Sequence, residues 1–212
     1  KVRHFLFDQT VVLFCRMANL KRKRASTAGL ELLFEDKKGN LNVCMVAISY
    51  SVSSTSTREH EALVDRGANG GIAGSNLRVI ARTDRTVNVN GIDNHQVRDL
   101  SIVTVGGVVT TQRGPVVATF HQMVYSPIGK TIISSPQLEA FKNKVDDRSI
   151  AAGGEQCIRT LDGYIIPLHF HQGLAYLEIR PFTDEEHDKL PHIVMTSDSV
   201  WDPTVMDVER NN

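Results

Sequence analysis

The chain has little cysteine, no long apolar run and no excess of charge of either sign, and each shortage removes a class of protein. Cysteine occurs three times in 212 residues, at Cys15, Cys44 and Cys157. An odd number at such wide spacing makes no disulfide framework and points to a reducing compartment such as the cytoplasm. The longest apolar stretches, such as Val11 to Phe14, are far too short to span a bilayer, so no membrane partner is expected. Lys1 to His4 is basic, but neither an apolar h-region nor a small-residue cleavage site follows, so no signal peptide is expected. The first residue is Lys1 rather than Met, which fits a start inside a longer product. Lys and Arg total 24 and Asp and Glu total 24, which argues against wholesale binding to nucleic acid or a membrane surface and leaves a local basic patch open. There is no internal repeat, and no biased tract beyond Ser51–Thr57, which reads as a linker or an exposed edge.

What is present is an ordinary globular composition, 41% apolar and 23% charged, at a length that suits one domain or one domain with an appendage. The charge is segregated: residues 1–60 carry +5 and residues 61–212 carry −5. Part of that excess is Lys21-Arg22-Lys23-Arg24, which reads either as a solvated turn between strands or as a nucleic-acid or nuclear-import patch. Without interleaved aromatics the turn is the better reading, and nucleic acid is not expected as a partner of this region.

Short β-type runs dominate. Phe5, Phe7, Val11, Leu13 and Cys15 share one parity, and Leu30–Phe34 and Leu41–Ile48 flank a charged, glycine-bearing turn at 36–40. From Glu61 onward, Ala62–Val64, Val87–Ile92, Ile102–Val105, Val108–Thr111, Val116–Phe120 and Met123–Tyr125 are separated by Gly106-Gly107, Arg113-Gly114-Pro115 and Ser126-Pro127. That spacing predicts an all-β barrel or sandwich. Pro136–Val145 reads as a helix capped by Ser134 or Ser135, with Leu138, Phe141 and Val145 on one face. A second hairpin is expected at Gln156–Arg159 and Tyr164–Phe170, around Asp162-Gly163. Thr183–Leu190 is expected as a short capped helix, and 198–212 as a tail anchored at most by Trp201.

Chemistry concentrates in Ala62-Leu63-Val64-Asp65-Arg66-Gly67-Ala68-Asn69-Gly70-Gly71, an apolar strand that ends in Asp, one residue and Gly-Ala. On its own the pattern fits a strand closing in a β-turn, where Asp, Asn and Gly serve the backbone. It also fits the needs of an aspartic protease. There two carboxylates must come within about 3 Å and share a proton, because like charges that close cannot both ionise. A strand carries the Asp to the floor of a cleft, and a small Gly lets the loop turn tightly enough for a second, symmetry-related loop to approach.

The segment resembles the retropepsin-type protease region of copia-type retrotransposon polyproteins, above all the versions carried by unicellular algae. The resemblance spans roughly residues 60 to 207. It rests on Asp65–Gly74 together with Gly91-Ile-Asp-Asn-His95, Gln112-Arg-Gly-Pro115, Gly129–Ser135 with Pro136-Gln-Leu138, Leu161-Asp-Gly-Tyr164 and Trp201-Asp-Pro203. It implies a homodimeric aspartic endopeptidase, without metal or cofactor, that cuts its own polyprotein in the cytoplasm or in a virus-like particle. Asp65 would be the catalytic acid, with Arg66, Gly67 and Ala68 completing its loop. Ile132, Ile133 and Ser134 would form the apolar strand beneath it, and one glycine-bearing hairpin between 87 and 120 the flap. The single Asp-x-Gly-Ala agrees with one Asp per subunit. Arg66 stands where most retropepsins carry Thr or Ser, and a guanidinium beside the pair would oppose a shared proton. Either Arg66 points away, or the chain is a catalytically inactive β module that scaffolds or binds a partner.

The implied fold is mainly β: an N-terminal β segment and linker at 1–57, a closed retropepsin-like barrel at 58–145, an antiparallel β extension with a short helix at 146–197, and a tail at 198–212. Competing constellations are weaker. His169 and His171 share a strand face as two metal ligands would, but the expected carboxylate is missing, since Glu178 comes too late. His121 with Cys157 is a conceivable thiol pair, though Cys157 and Cys44 sit in strand-like apolar settings. Gly70-Gly71 and Gly106-Gly107 lack the Lys-Ser/Thr and the helix of a phosphate loop.

Overall fold

The chain divides into two units, residues 1–53 and 54–212, and the division falls inside the Ser/Thr stretch. The structure, a computed structural model, describes residues 19–26, 29–35, 41–46, 60–91 and 96–207. The apolar run from Phe5 to Cys15 and the stretch Ser51–Thr57 lie outside the described residues. Among the described residues both units are mainly β. Among the described residues no helix is long and apolar enough to cross a membrane.

In the first unit, β1 (Asn19–Ser26), β2 (Gly29–Glu35) and β3 (Leu41–Val46) form an antiparallel sheet in chain order. The expected hairpin is there, in register from Glu35 opposite Leu41 to Leu30 opposite Val46. Lys21–Arg24 is not a turn. It lies within β1, paired with β2 and interrupted by a register shift between Leu20 and Arg22. Among the described residues β1 is an edge strand, a position with which a charged run is compatible.

The second unit is built on one large sheet. Its strands are β4 (Glu61–Asp65), β5 (Ile72–Ala73), β6 (Arg78–Asn90), β7 (Gln96–Thr111), β8 (Gly114–Tyr125), β9 (Ile132–Ser134), β13 (His169–His171), β14 (Leu174–Glu178) and β15 (His192–Val194). The order is β13-β14-β4-β9-β5-β8-β7-β6, with β15 parallel to β8. A small sheet of β10 (Lys144–Asp146), β11 (Cys157–Arg159) and β12 (Ile165–Pro167) stands beside it in sequence. The segment expected as an extension thus adds β13, β14 and β15 to the same sheet that carries β4. Val64, Val105, Phe120, Met123, Ile133 and Leu177 are buried in a common core.

Among the described residues the sheet does not close into the expected barrel; it runs as an open path from β13 to β6. The terminal strand β6 explains why. It carries Arg78, Arg82, Asp84, Arg85, Asn88 and Asn90 and is largely exposed along its length, so it makes a poor partner for a second closing strand.

Two further expectations change. Gly106-Gly107 does not break the chain, because both lie inside the sixteen-residue strand β7. These glycines serve close packing rather than turning. A Cβ at Gly107 would come within 2.6 Å of Ile179 Cγ1 and 2.8 Å of Leu77 Cδ2, and one at Gly106 within 2.9 Å of Ile80 Cδ1 and Phe182 Cε1. The helix expected over Pro136–Val145 is only α1 (Ser135–Ala140), capped by Ser134, whose Oγ accepts from the Gln137 N–H. It stops because buried Asn143 folds back: its Nδ2 donates to the Leu138 carbonyl at 3.2 Å and the Met195 carbonyl at 2.7 Å. Val145 belongs to β10 instead. The second expected helix is α2 (Asp184–Lys189), where Thr183 and Glu186 form a reciprocal capping box.

Gly107→Val tests the packing role. It should destabilise the second unit by about 1–3 kcal/mol through overpacking, read as a lower urea midpoint at unchanged slope. A midpoint within error of wild type would show that the strand tolerates a side chain there.

Candidate active site

The site begins with a strand crossing. β4 and β5 follow each other in the chain, yet they do not pair. β9 lies between them, parallel to β4 (Leu63 opposite Ile132, Val64 opposite Ile133, Asp65 opposite Ser134) and antiparallel to β5 at Ile72. Residues 66–71 therefore arch over the end of β9. The structure brings Asp65, Gly67, Ala68, Ile132, Ile133 and Ser134 together.

Four side chains hold the arch. The Gly67 N–H donates to Asp65 Oδ1 at 2.8 Å. Ser134 Oγ donates to the Ala68 carbonyl at 2.6 Å. Trp201 Nε1 donates to the Asn69 carbonyl at 2.7 Å. Buried Gln137 accepts from the Gly71 N–H at 3.0 Å, while its Nε2 donates to the carbonyls of His121 and Gln122 on β8. Further on, the Gly74 N–H donates to Thr131 Oγ1 at 2.9 Å. A Cβ at Gly74 would sit 2.2 Å from the Gly129 carbonyl oxygen, so only glycine allows this approach. Asp65 is half-buried, and Gly67 and Asn69 are exposed. The carboxylate thus stands at a strand end with one oxygen oriented by the backbone. Among the described residues no side-chain cation pairs with it.

Arg66 turns away from Asp65. Its Nη1 meets Glu139 Oε2 at 3.0 Å and its Nε meets Asp147 Oδ2 at 3.1 Å, and Nη2 donates to the Val145 carbonyl at 3.3 Å. The hydrogen bond to Glu139 on α1 is the main reason its pKa is raised, against a smaller opposing desolvation. Arg66 thus ties the arch to α1 and to the chain after β10.

Gln137, Glu139, Asp147 and Trp201 were not visible as site residues in the sequence. Trp201 stood out as the single tryptophan, as a candidate tail anchor and in the block Trp201-Asp-Pro203, and Gln137 lay in the block Pro136-Gln-Leu138, but neither carried a role there. Glu139 and Asp147 look like ordinary surface polar residues.

The competing constellations resolve into other contacts. His171 Nε2 lies 3.0 Å from Glu61 Oε1, and His169 Nε2 lies 3.6 Å from Glu178 Oε2. Among the described residues no group of three or more side chains could hold a metal ion. His121 Nδ1 stands 3.0 Å from Thr104 Oγ1, and its backbone is bound to Thr196. Burial pushes the Cys157 thiol up from its ordinary range, the opposite of an activated nucleophile.

No protein-family model, no curated protein and no solved structure matches the chain. The geometry therefore stands on its own.

Two carboxylates outside the arch bear on acid behaviour. The Arg180 guanidinium, and then the Thr183 N–H, hold Glu186 down to about 2. The Arg148 guanidinium, and then the Glu155 N–H, hold Asp146 down to about 2. A carboxylate whose folded pKa lies below its unfolded one stabilises above the unfolded value and loses that contribution as pH falls through the folded one. Stability should therefore decline between pH about 4.5 and about 2. A double variant, Glu186→Gln with Asp146→Asn, should show a shallower decline of the urea midpoint across that window; equal slopes would remove both groups from the account. Separately, Arg66→Thr should cost no more than about 1 kcal/mol, because the ion pairs are exposed, and 1 M salt should erase most of the difference. A larger, salt-insensitive loss would mean that Arg66 acts through packing.

Proposed function

We propose that this chain is the aspartic endopeptidase of a retroelement polyprotein, with a retropepsin-like core, acting as a homodimer with one Asp65 from each copy. The seat of Asp65 carries the reading. It lies at the end of β4, its Oδ1 fixed by the Gly67 N–H, under an arch drawn over an inserted strand and braced by Ser134. The arch carries Gly67, Ala68, Gly70 and Gly71, small residues that suit the approach of a two-fold copy. The ribbon of β6 and the start of β7 is largely exposed, which suits a flap.

In the paired site one proton is shared between the two Asp65 carboxylates. The ionised one takes a proton from water as the water oxygen attacks the peptide carbonyl carbon, and the other gives its proton to the carbonyl oxygen. The carboxyl that took the water proton then gives it to the amide nitrogen of the tetrahedral gem-diol, the C–N bond breaks, and a gem-diol hydroxyl returns its proton to the other carboxylate. A carboxylic acid and an amine leave, and the pair again holds one proton. The binding of Arg66 to Glu139 and Asp147 supports this chemistry, because the guanidinium charge is met by its own carboxylates rather than by Asp65. The same contacts give the inactive-module reading its one support: Arg66 is engaged within its own chain and supplies no hydroxyl to brace a partner.

In a longer precursor at mildly acidic pH, Asp65→Asn should abolish self-processing, an aspartic-protease inhibitor should do the same to wild type, and the initial rate should rise with the square of concentration at low concentration. Unchanged processing in the Asp65→Asn precursor would dismiss the enzyme and leave the binding module.

A further inference from the structure

Trp201 lies 132 residues from the carbonyl it holds. The other side chains that bond the arch's backbone come from its own strand or from the stretch that runs from β9 into α1. Trp201 comes from the end of the described chain, and it closes a specific gap. Asp65 fixes the N–H of residue 67, Ser134 the carbonyl of 68 and Gln137 the N–H of 71; the carbonyl of 69 is fixed by the indole. The indole also lies against Gly70, where a Cβ would be 3.8 Å from Nε1. A cleft of about 180 Å³ is lined by Trp201 together with Gln137, Ala140, Phe141, Val200 and Val205.

The segment that presents the indole is fastened to β8 at one end and capped within itself at the other. Gln122 Nε2 donates to the Asp198 carbonyl at 2.7 Å. Asp202 Oδ1 accepts from the Thr204 N–H at 2.9 Å and opens the 3-10 turn Pro203–Met206. Gln122 can reach because it adopts φ 58 at a bulge in β8.

We infer that Trp201 is a positioning residue for Asp65 and that residues 197–206 form a strap belonging to the catalytic unit. The inference rests on the proteolytic reading above. Without the indole donor the crest of the arch exchanges its bond for water, the Gly67 N–H loses its fixed place, and the carboxyl oxygen it orients is freed. In a self-cleaving polyprotein the consequence is directional. A cut before Trp201 detaches the strap and disables the protease, whereas a cut beyond Met206 leaves it intact.

The test uses the full chain as wild type, Trp201→Phe and Asp202→Ala. Trp201→Phe keeps a large ring and removes the N–H; Asp202→Ala removes the cap of the exposed turn and leaves the indole. Amide hydrogen exchange is read at Gly67 and Gly71, with Val116–Phe120 of β8 as the reference, alongside steady-state cleavage of a peptide spanning a processing site. Trp201→Phe should lower protection in the arch about tenfold and leave β8 unchanged, and it should lower kcat about tenfold with KM within about twofold. Asp202→Ala should move the same readouts in the same direction by less, and it decides the matter if Trp201→Phe fails to fold. Unchanged exchange in the arch overturns the strap whatever the activity does, and so does a KM effect without a kcat effect. A wild type that cleaves nothing, with the arch still loosened by Trp201→Phe, keeps the strap and overturns the proteolytic reading alone.

Discussion

The insertion of β9 between β4 and β5 is the constraint from which the rest of the site follows. Two strands joined by a short connection would ordinarily pair as a hairpin. Once a third strand lies between them, the connection has to climb over its end, and the first residue of the climb is the one after Asp65. Ser134, the last residue of β9, then has two duties with one hydroxyl. It donates to the Ala68 carbonyl of the arch and accepts from the Gln137 N–H at the start of α1. The arch and the helix thus share an anchor, and Gln137, fixed by that helix turn, can reach back to Gly71.

Charge is sorted in the same way. A cation next to a carboxylate on an exposed turn would ordinarily pair with it and hold it ionised. Here Glu139 and Asp147 present a fork of carboxylates on the other side, and a planar guanidinium satisfies two of them and a carbonyl at once. The gain in stability is small, since Arg66 is about half exposed. The gain in orientation is larger: the residue beside Asp65 has one place to go, and it leads away from the carboxylate.

What could be read from the sequence was local. The strand ending in Asp65, the cap at Ser134, the hairpin of β2 and β3 and the capping box of α2 all announce themselves within a few residues, because propensity, capping and turn chemistry act at that range. The failures were also local in appearance. Gly106-Gly107 looks like a turn, but its reason for being glycine is Ile179 and Leu77, far along the chain in both directions. Lys21–Arg24 looks like a loop until it is placed at the edge of a sheet, where charge is useful. The helix seemed to run to Val145 because its periodicity did, and only Asn143, bound to Met195 more than fifty residues later, explains the stop. The open end at β6 and the bulge at Gln122 depend on partners that no short window contains.

The order in which the chain supplies these partners has its own consequence. β4 is internal to the sheet, yet both of its neighbours come much later, β9 at residue 132 and β14 at residue 174. The indole that fixes the Asn69 carbonyl comes later still. Long-range pairing of this kind cannot form until the intervening chain exists, and its closure entropy has to be met before any contact rewards it. A chain stopped short of β9 would hold Asp65 on a strand with no parallel neighbour, and one stopped before Trp201 would hold it under a partly fastened arch. The geometry at Asp65 is therefore a property of nearly the whole second unit rather than of the ten residues that first draw attention to it.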